Sequence, residues 1–122
     1  MSDYSHLNDD CLFCKIIKGE IPSKKVYEDE SVYAFADINP TAPIHYLFIP
    51  KCHIESLDDI KRDLNGYLVG DVYAAIAKVA HLEGFDESGY RVVSNCGHDA
   101  GQTVPHIHFH VLAGRELTWP AG

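Results

Sequence analysis

No stretch of this sequence stays apolar for the roughly 18 residues that a bilayer crossing needs, and the polar start, residues 1–10, lacks the basic and apolar regions of a secretory signal. The expected setting is the reducing cytoplasm, where Cys11, Cys14, Cys52 and Cys96 are read as free thiols or metal ligands rather than disulfide partners. Basic residues are scarce: 10 Lys and Arg stand against 18 Asp and Glu, a formal charge of −8. That balance argues against nucleic-acid polymers and anionic membranes, while a small anion can still be held by local donors. Glycine and proline, 9 and 6 residues, are too few for a collagen-like or low-complexity chain. With 122 residues and neither repeat nor linker, one core is expected: residues 1–10 as a flexible tail, 11–122 as a single domain.

Apolar spacing from Cys11 to Ile17 predicts a short helix that Gly19 ends. Val26–Glu28, Ser31–Phe35, His45–Ile49, Tyr90–Ser94 and Ile107–Ala113 predict strands, the third closed by Pro50. Between Leu57 and Glu83, Leu64, Leu68, Val72, Ile76 and Val79 recur at three to four positions, which predicts a long helix with one buried face, stopped by Gly84. An α+β domain follows: an antiparallel meander sheet of about five strands with one long helix and a short N-terminal one.

The most informative segment is His106-Ile107-His108-Phe109-His110-Val111. On a strand, alternation sends the three imidazoles to one face and Ile107, Phe109 and Val111 to the other. Successive same-face positions lie about 6.6–7 Å apart, so three histidines sharing one ion fits poorly. Divided roles suit nucleophilic chemistry at phosphorus: the central His108, presented to solvent, attacks, and flanking donors such as His110 meet the charge that grows on oxygen. Gly101, Gln102 and Thr103 add uncharged donors suited to phosphate, although such a segment alone is an ordinary turn.

Cys11-x-x-Cys14 is a common zinc half-site, equally compatible with a redox pair or two buried thiols. Cys52 and Cys96 are read as buried thiols, His6, His45 and His81 as surface residues, and His98 as a solvated loop residue.

Taken together, these segments resemble the histidine-triad (HIT) family, and within it the Hint, or histidine-triad nucleotide-binding, branch. The likeness runs from Phe13-x-Lys-Ile-Ile-x-Gly-Glu-Ile-Pro22 through Phe35-Ala-Asp-Ile-Asn-Pro40 and Ile49-Pro-Lys-Cys-His-Ile54 to Gly101–Gly114 and the terminal Trp119-Pro-Ala-Gly122. The resemblance implies hydrolysis of purine nucleoside phosphoramidates through a nucleotidyl intermediate on His108, with His110 bonding the phosphoryl or leaving group. His110 stands where the family's nucleotidyltransferases carry glutamine, which favours water as acceptor. Asn95, Gln102 and Thr103 match positions near the phosphate, Asp37 the ribose-binding acid, and Leu12, Phe13, Ile16, Phe35 and Ile38 the apolar base slot. Read alone, Asp37 is a turn residue and the five apolar side chains are core. In some members zinc is held by residues matching Cys11, Cys14, His53 and His106; four protein ligands make such an ion structural. A homodimer is also implied, with the C-terminal tail and Trp119 reaching the partner's site. The alternatives are a dinucleoside polyphosphate hydrolase, a nucleotide-binding scaffold with incidental turnover, and a hydrolase whose triad histidines share a metal.

Overall fold

Strands whose apolar residues are not confined to alternate positions must be covered on both sides, and that is the arrangement here. A computed structural model describes residues 4–121. The elements run α1 (Leu12–Ile17), β1 (Lys25–Glu28), β2 (Val32–Ala36), β3 (Ile44–Pro50), α2 (Gly66–Glu83), β4 (Tyr90–Val93) and β5 (Phe109–Ala113). All pairings are antiparallel, in the order β1-β2-β3-β5-β4. The meander therefore holds for β1 to β3, after which β5 enters between β3 and β4.

One face of the sheet packs on α2. Val32, Ala34, Phe48, Ile107, Phe109, Val111 and Ala113 meet Leu68, Val72, Ala75, Ile76, Val79 and Ala80 in the main core. These helix residues recur at the 3.6-residue period that marks one buried stripe. Gly84, at φ 82°, closes α2 in the left-handed conformation that glycine adopts without strain. The other face carries Tyr33, Phe35, Leu47 and Ile49, covered by Phe13, Cys14, Ile16 and Ile17 of α1. Gly114 is required where β5 ends: its φ is 92°, and a Cβ there would lie 2.8 Å from Pro43 Cβ.

The sequence expectations need two corrections. The long helix begins at Gly66, not Leu57; Leu57–Asp59 is a single 3-10 turn, and Leu64 is exposed ahead of α2. The reason is local, because Asn65 Oδ1 accepts from Lys61 N–H and Lys61 O takes the N–H groups of Leu64, Asn65 and Gly66, closing a turn. β5 begins at Phe109 rather than Ile107, because Ile107 N–H is drawn off to Ile54 O at 2.7 Å and His106 N–H to Val104 O at 2.8 Å. Ahead of α1, His53 N–H donates to His6 O, and Leu7 packs on the α1-side cluster.

Phe48 is wholly buried between β5 and α2. Phe48→Ala is expected to cost about 3–5 kcal/mol of unfolding free energy, measured by urea denaturation.

Candidate active site

Alternation along β5 and the residues leading into it puts His106, His108 and His110 on the α1 side of the sheet, opposite Ile107, Phe109 and Val111. The three histidines are more enclosed than the sequence suggested. His108 is 7% exposed rather than open to solvent, because Phe13 of α1 stands over it, with ring centroids 5.2 Å apart and planes perpendicular. The His110 ring flanks it at 5.2 Å.

The protons on these rings follow from their partners. His108 Nδ1 lies 2.8 Å from His106 O, a carbonyl that can only accept, so Nδ1 carries the hydrogen and Nε2 the lone pair. Among the described residues Nε2 has no hydrogen-bond partner and no buried polar side-chain atom lacks one, so Nε2 is not sealed from solvent. His110 is set by a chain of two contacts. Thr41 N–H donates to His45 Nδ1 at 3.1 Å, so His45 Nε2–H faces His110 Nδ1 at 2.9 Å. The hydrogen of His110 is thereby placed on its Nε2. Asp37 Oδ2 lies 3.4 Å from the same His45 Nε2, a second acceptor for that hydrogen.

His45 is the residue that sequence reasoning missed. The sequence predicts a surface side chain, yet His45 is 7% exposed, on β3 directly beside β5. The available signal was period two within β3, since His45 shares a face with Leu47 and Ile49 and hence with the triad. Burial lowers the pKa of His45, opposed by Asp37, and pushes that of His110 down to about 4, helped by His108 and His45. Both rings are neutral at neutral pH.

Cys11, Cys14, His53 and His106 converge, each offering one donor atom within 4.8 Å of the others. His106 Nδ1 lies 3.3 Å from Cys11 Sγ and 3.4 Å from Cys14 Sγ, and His53 Nδ1 lies 3.4 Å from Cys14 Sγ. A tetrahedral zinc ion has S···N edges of about 3.5 Å, given Zn–S near 2.3 Å and Zn–N near 2.05 Å. His106 Nε2–H donates to Pro50 O, which turns the Nδ1 lone pair toward both sulfurs, as a ligand requires. Cys11 Sγ also accepts from Cys14 N–H at the start of α1, so the helix cap orients the pair. Burial drives the Cys14 thiol up to about 11, so its thiolate needs a cation beside it. The donor set fits a structural zinc ion. His106 belongs to this quartet and His110 to the Asp37–His45 group, while His108 belongs to neither, so the triad does not form a shared metal site among the described residues.

The other expected site residues are distributed unevenly. Phe13, Ile16 and Phe35 are buried together, whereas Leu12 and Ile38 are exposed. Asp37 spends one oxygen on Asn39 N–H, at 2.8 Å. Gln102 is a brace: its Oε1 accepts from Gly97 N–H, and its Nε2 donates to Glu55 O and Val104 O. Gln102 and the exposed Thr103 line an open cavity of about 370 Å³ with Cys96, which is half-buried rather than buried, as is Cys52. The side chain of Asn95, just past β4, makes no hydrogen bond among the described residues.

A sheet with alternating histidines facing a short helix defines a class, and comparison with known proteins agrees. The sequence pattern of the HIT domain matches residues 18–117. The 13.2 kDa HIT-like protein of Azospirillum brasilense is 48% identical over 106 residues, covering 87% of each chain. A HIT family hydrolase from Legionella pneumophila superposes with a TM-score of 0.89 at 48% identity, over 93% of this chain and all of that one. A histidine triad protein from Clostridium difficile gives 0.88 at 51% identity, over 91% and 96%. The chain belongs to the HIT domain family. No described helix is long and apolar enough to cross a membrane.

The depressed histidines make stability pH-dependent. Below the unfolded pKa of about 6.5 the unfolded chain binds protons that folded His45 and His110 refuse. Stability is therefore complete above that value and falls as pH drops toward about 4. Urea midpoints measured from pH 7 to 4 should decline, and less steeply in His110→Gln. Chelation should also lower Tm by about 10 °C or more, with one zinc per chain found by elemental analysis before it.

Proposed function

We propose that this chain is a Hint-type hydrolase of purine nucleoside phosphoramidates and that His108 is its nucleophile. The observation that carries the reading is the His108 ring itself: hydrogen on Nδ1, held by a carbonyl, and a lone pair on an Nε2 that is not sealed from solvent. His108 Nε2 bonds to the α-phosphorus as the P–N bond breaks; the bond pair leaves with the amine, which takes up a proton from solvent, and the later attack by water returns one proton to solvent. The ring becomes cationic in that step, and the His106 carbonyl, already pointed at Nδ1–H, bonds it more strongly as charge grows. His110, neutral with hydrogen on Nε2, donates to a phosphoryl oxygen or to the leaving nitrogen. Water then displaces His108 and releases the nucleoside monophosphate.

Asn95 and Thr103 offer the phosphate polar groups that make no side-chain hydrogen bond among the described residues, and Gln102 acts by bracing the segment that carries Thr103. Asp37 keeps Oδ2 near His45 and is the group for the ribose hydroxyls. Leu12 and Ile38 form the exposed lips of a base slot floored by Phe13, Ile16 and Phe35. Cys11, Cys14, His53 and His106 would hold zinc, which when bound supplies a structural cross-link between α1 and the catalytic segment, its four positions filled by protein. The reading further includes a cytoplasmic homodimer in which Trp119, 82% exposed here, is covered by the partner.

Quenched reaction with adenosine 5′-phosphoramidate should give one adenylyl group on His108 by mass spectrometry, and His108→Asn should lose turnover by at least about a thousandfold. Faster turnover of diadenosine polyphosphates than of the phosphoramidate would reassign the substrate.

A further inference from the structure

His108 sits where the sheet stops supporting it. On one side the paired register ends at Phe48 with Phe109, and on the other at Val93 with His110. The reacting residue therefore lies just outside the ladders that make β5 rigid, although the chemistry asks for a ring held to a fraction of an ångström. Its ring is tied through Nδ1 to His106 O. Its main chain is tied from the segment that follows β4: Ser94 Oγ donates to His108 O at 3.1 Å.

Ser94 occupies the first position after β4, which ends at Val93. Its hydroxyl thus carries the β4–β5 association one step past the last register pair. The next residue is Asn95, whose side-chain amide makes no hydrogen bond among the described residues and which opens the loop that runs to Thr103. One hydrogen bond therefore sets the distance between the nucleophile's backbone and the start of the segment that would hold the phosphate. Without a hydroxyl at this position the β4–β5 association would end at its last register pair, Val93 with His110.

Resting on the phosphoramidate reading above, we propose that Ser94 is a positioning residue that clamps His108 against the phosphate-binding segment, acting on the rate of attack and not on nucleotide affinity. It touches no substrate; it works through the carbonyl of His108.

The decisive comparison is between Ser94→Thr and Ser94→Val, two side chains of nearly one shape that differ by the hydroxyl, with Ser94→Ala as a third variant that adds no bulk. Four quantities are measured on the full chain: the single-turnover rate of adenylyl-His108 formation from adenosine 5′-phosphoramidate, steady-state KM, AMP affinity by calorimetry, and Tm. Ser94→Thr is expected within about threefold of wild type, whereas Ser94→Val and Ser94→Ala form the adduct about tenfold to a hundredfold more slowly. AMP affinity should stay within about twofold, and Tm within about 5 °C, as befits one lost hydrogen bond. Equal rates in the Thr and Val variants, or rate losses matched by losses of AMP affinity, overturn the clamp while the enzymatic reading stands. A wild-type protein that forms no adduct on His108 overturns that reading and this inference with it.

Discussion

The 2.8 Å hydrogen bond between the ring of His108 and the carbonyl of His106 is the contact on which the site depends. It decides which nitrogen carries the hydrogen, and so which one keeps the lone pair. It also requires the two residues to keep a particular local path, and that path is not secured by strand pairing, since β5 begins only at Phe109. The path is secured by the neighbours of His106: its N–H on Val104, its Nε2 on Pro50, its Nδ1 facing two thiols, and the next N–H on Ile54. His106 is wholly buried, which removes competing water from each of these bonds.

The thiol quartet and the His108 ring thus meet through one residue, His106, while keeping separate electronic roles. Phe13 lies between the two cysteines in the chain, and its ring contacts those of His106 and His108 at 5.9 and 5.2 Å. α1, six residues long and too short to persist alone, owes its form to tertiary packing and to the sulfur that caps it. Whatever orders the quartet orders the cover over His108 as well.

Much of the fold was legible because its signals are periodic. Alternation in the His106–Val111 stretch gave the right face for each residue, and the recurrence of Leu68, Val72, Ile76 and Val79 marked the buried stripe of α2. The errors fell where a single local bond overrides the pattern. Leu64 fits the helical period, yet the Asn65 side chain closes a turn before the helix can extend that far. Ile107 fits the strand, yet its N–H belongs to Ile54. In the site, His106, His108 and His110 stood out by sequence proximity, while His45 comes to His110 across 65 residues and carries no local motif. Resemblance supplied the pairing of His53 with the cysteines; spacing alone could not, because only the folded sheet brings those segments together.

The sheet is asymmetric in what its two faces ask of the side chains. Toward α2 it offers only hydrocarbon, where many combinations of equal volume serve. Toward α1 it offers rings whose hydrogens are assigned one after another, beginning at a main-chain amide of Thr41 that can neither ionise nor rotate. Replacements of equal volume can accordingly be made behind the sheet without moving a hydrogen in front, whereas a single change at His45 resets the ring beside it.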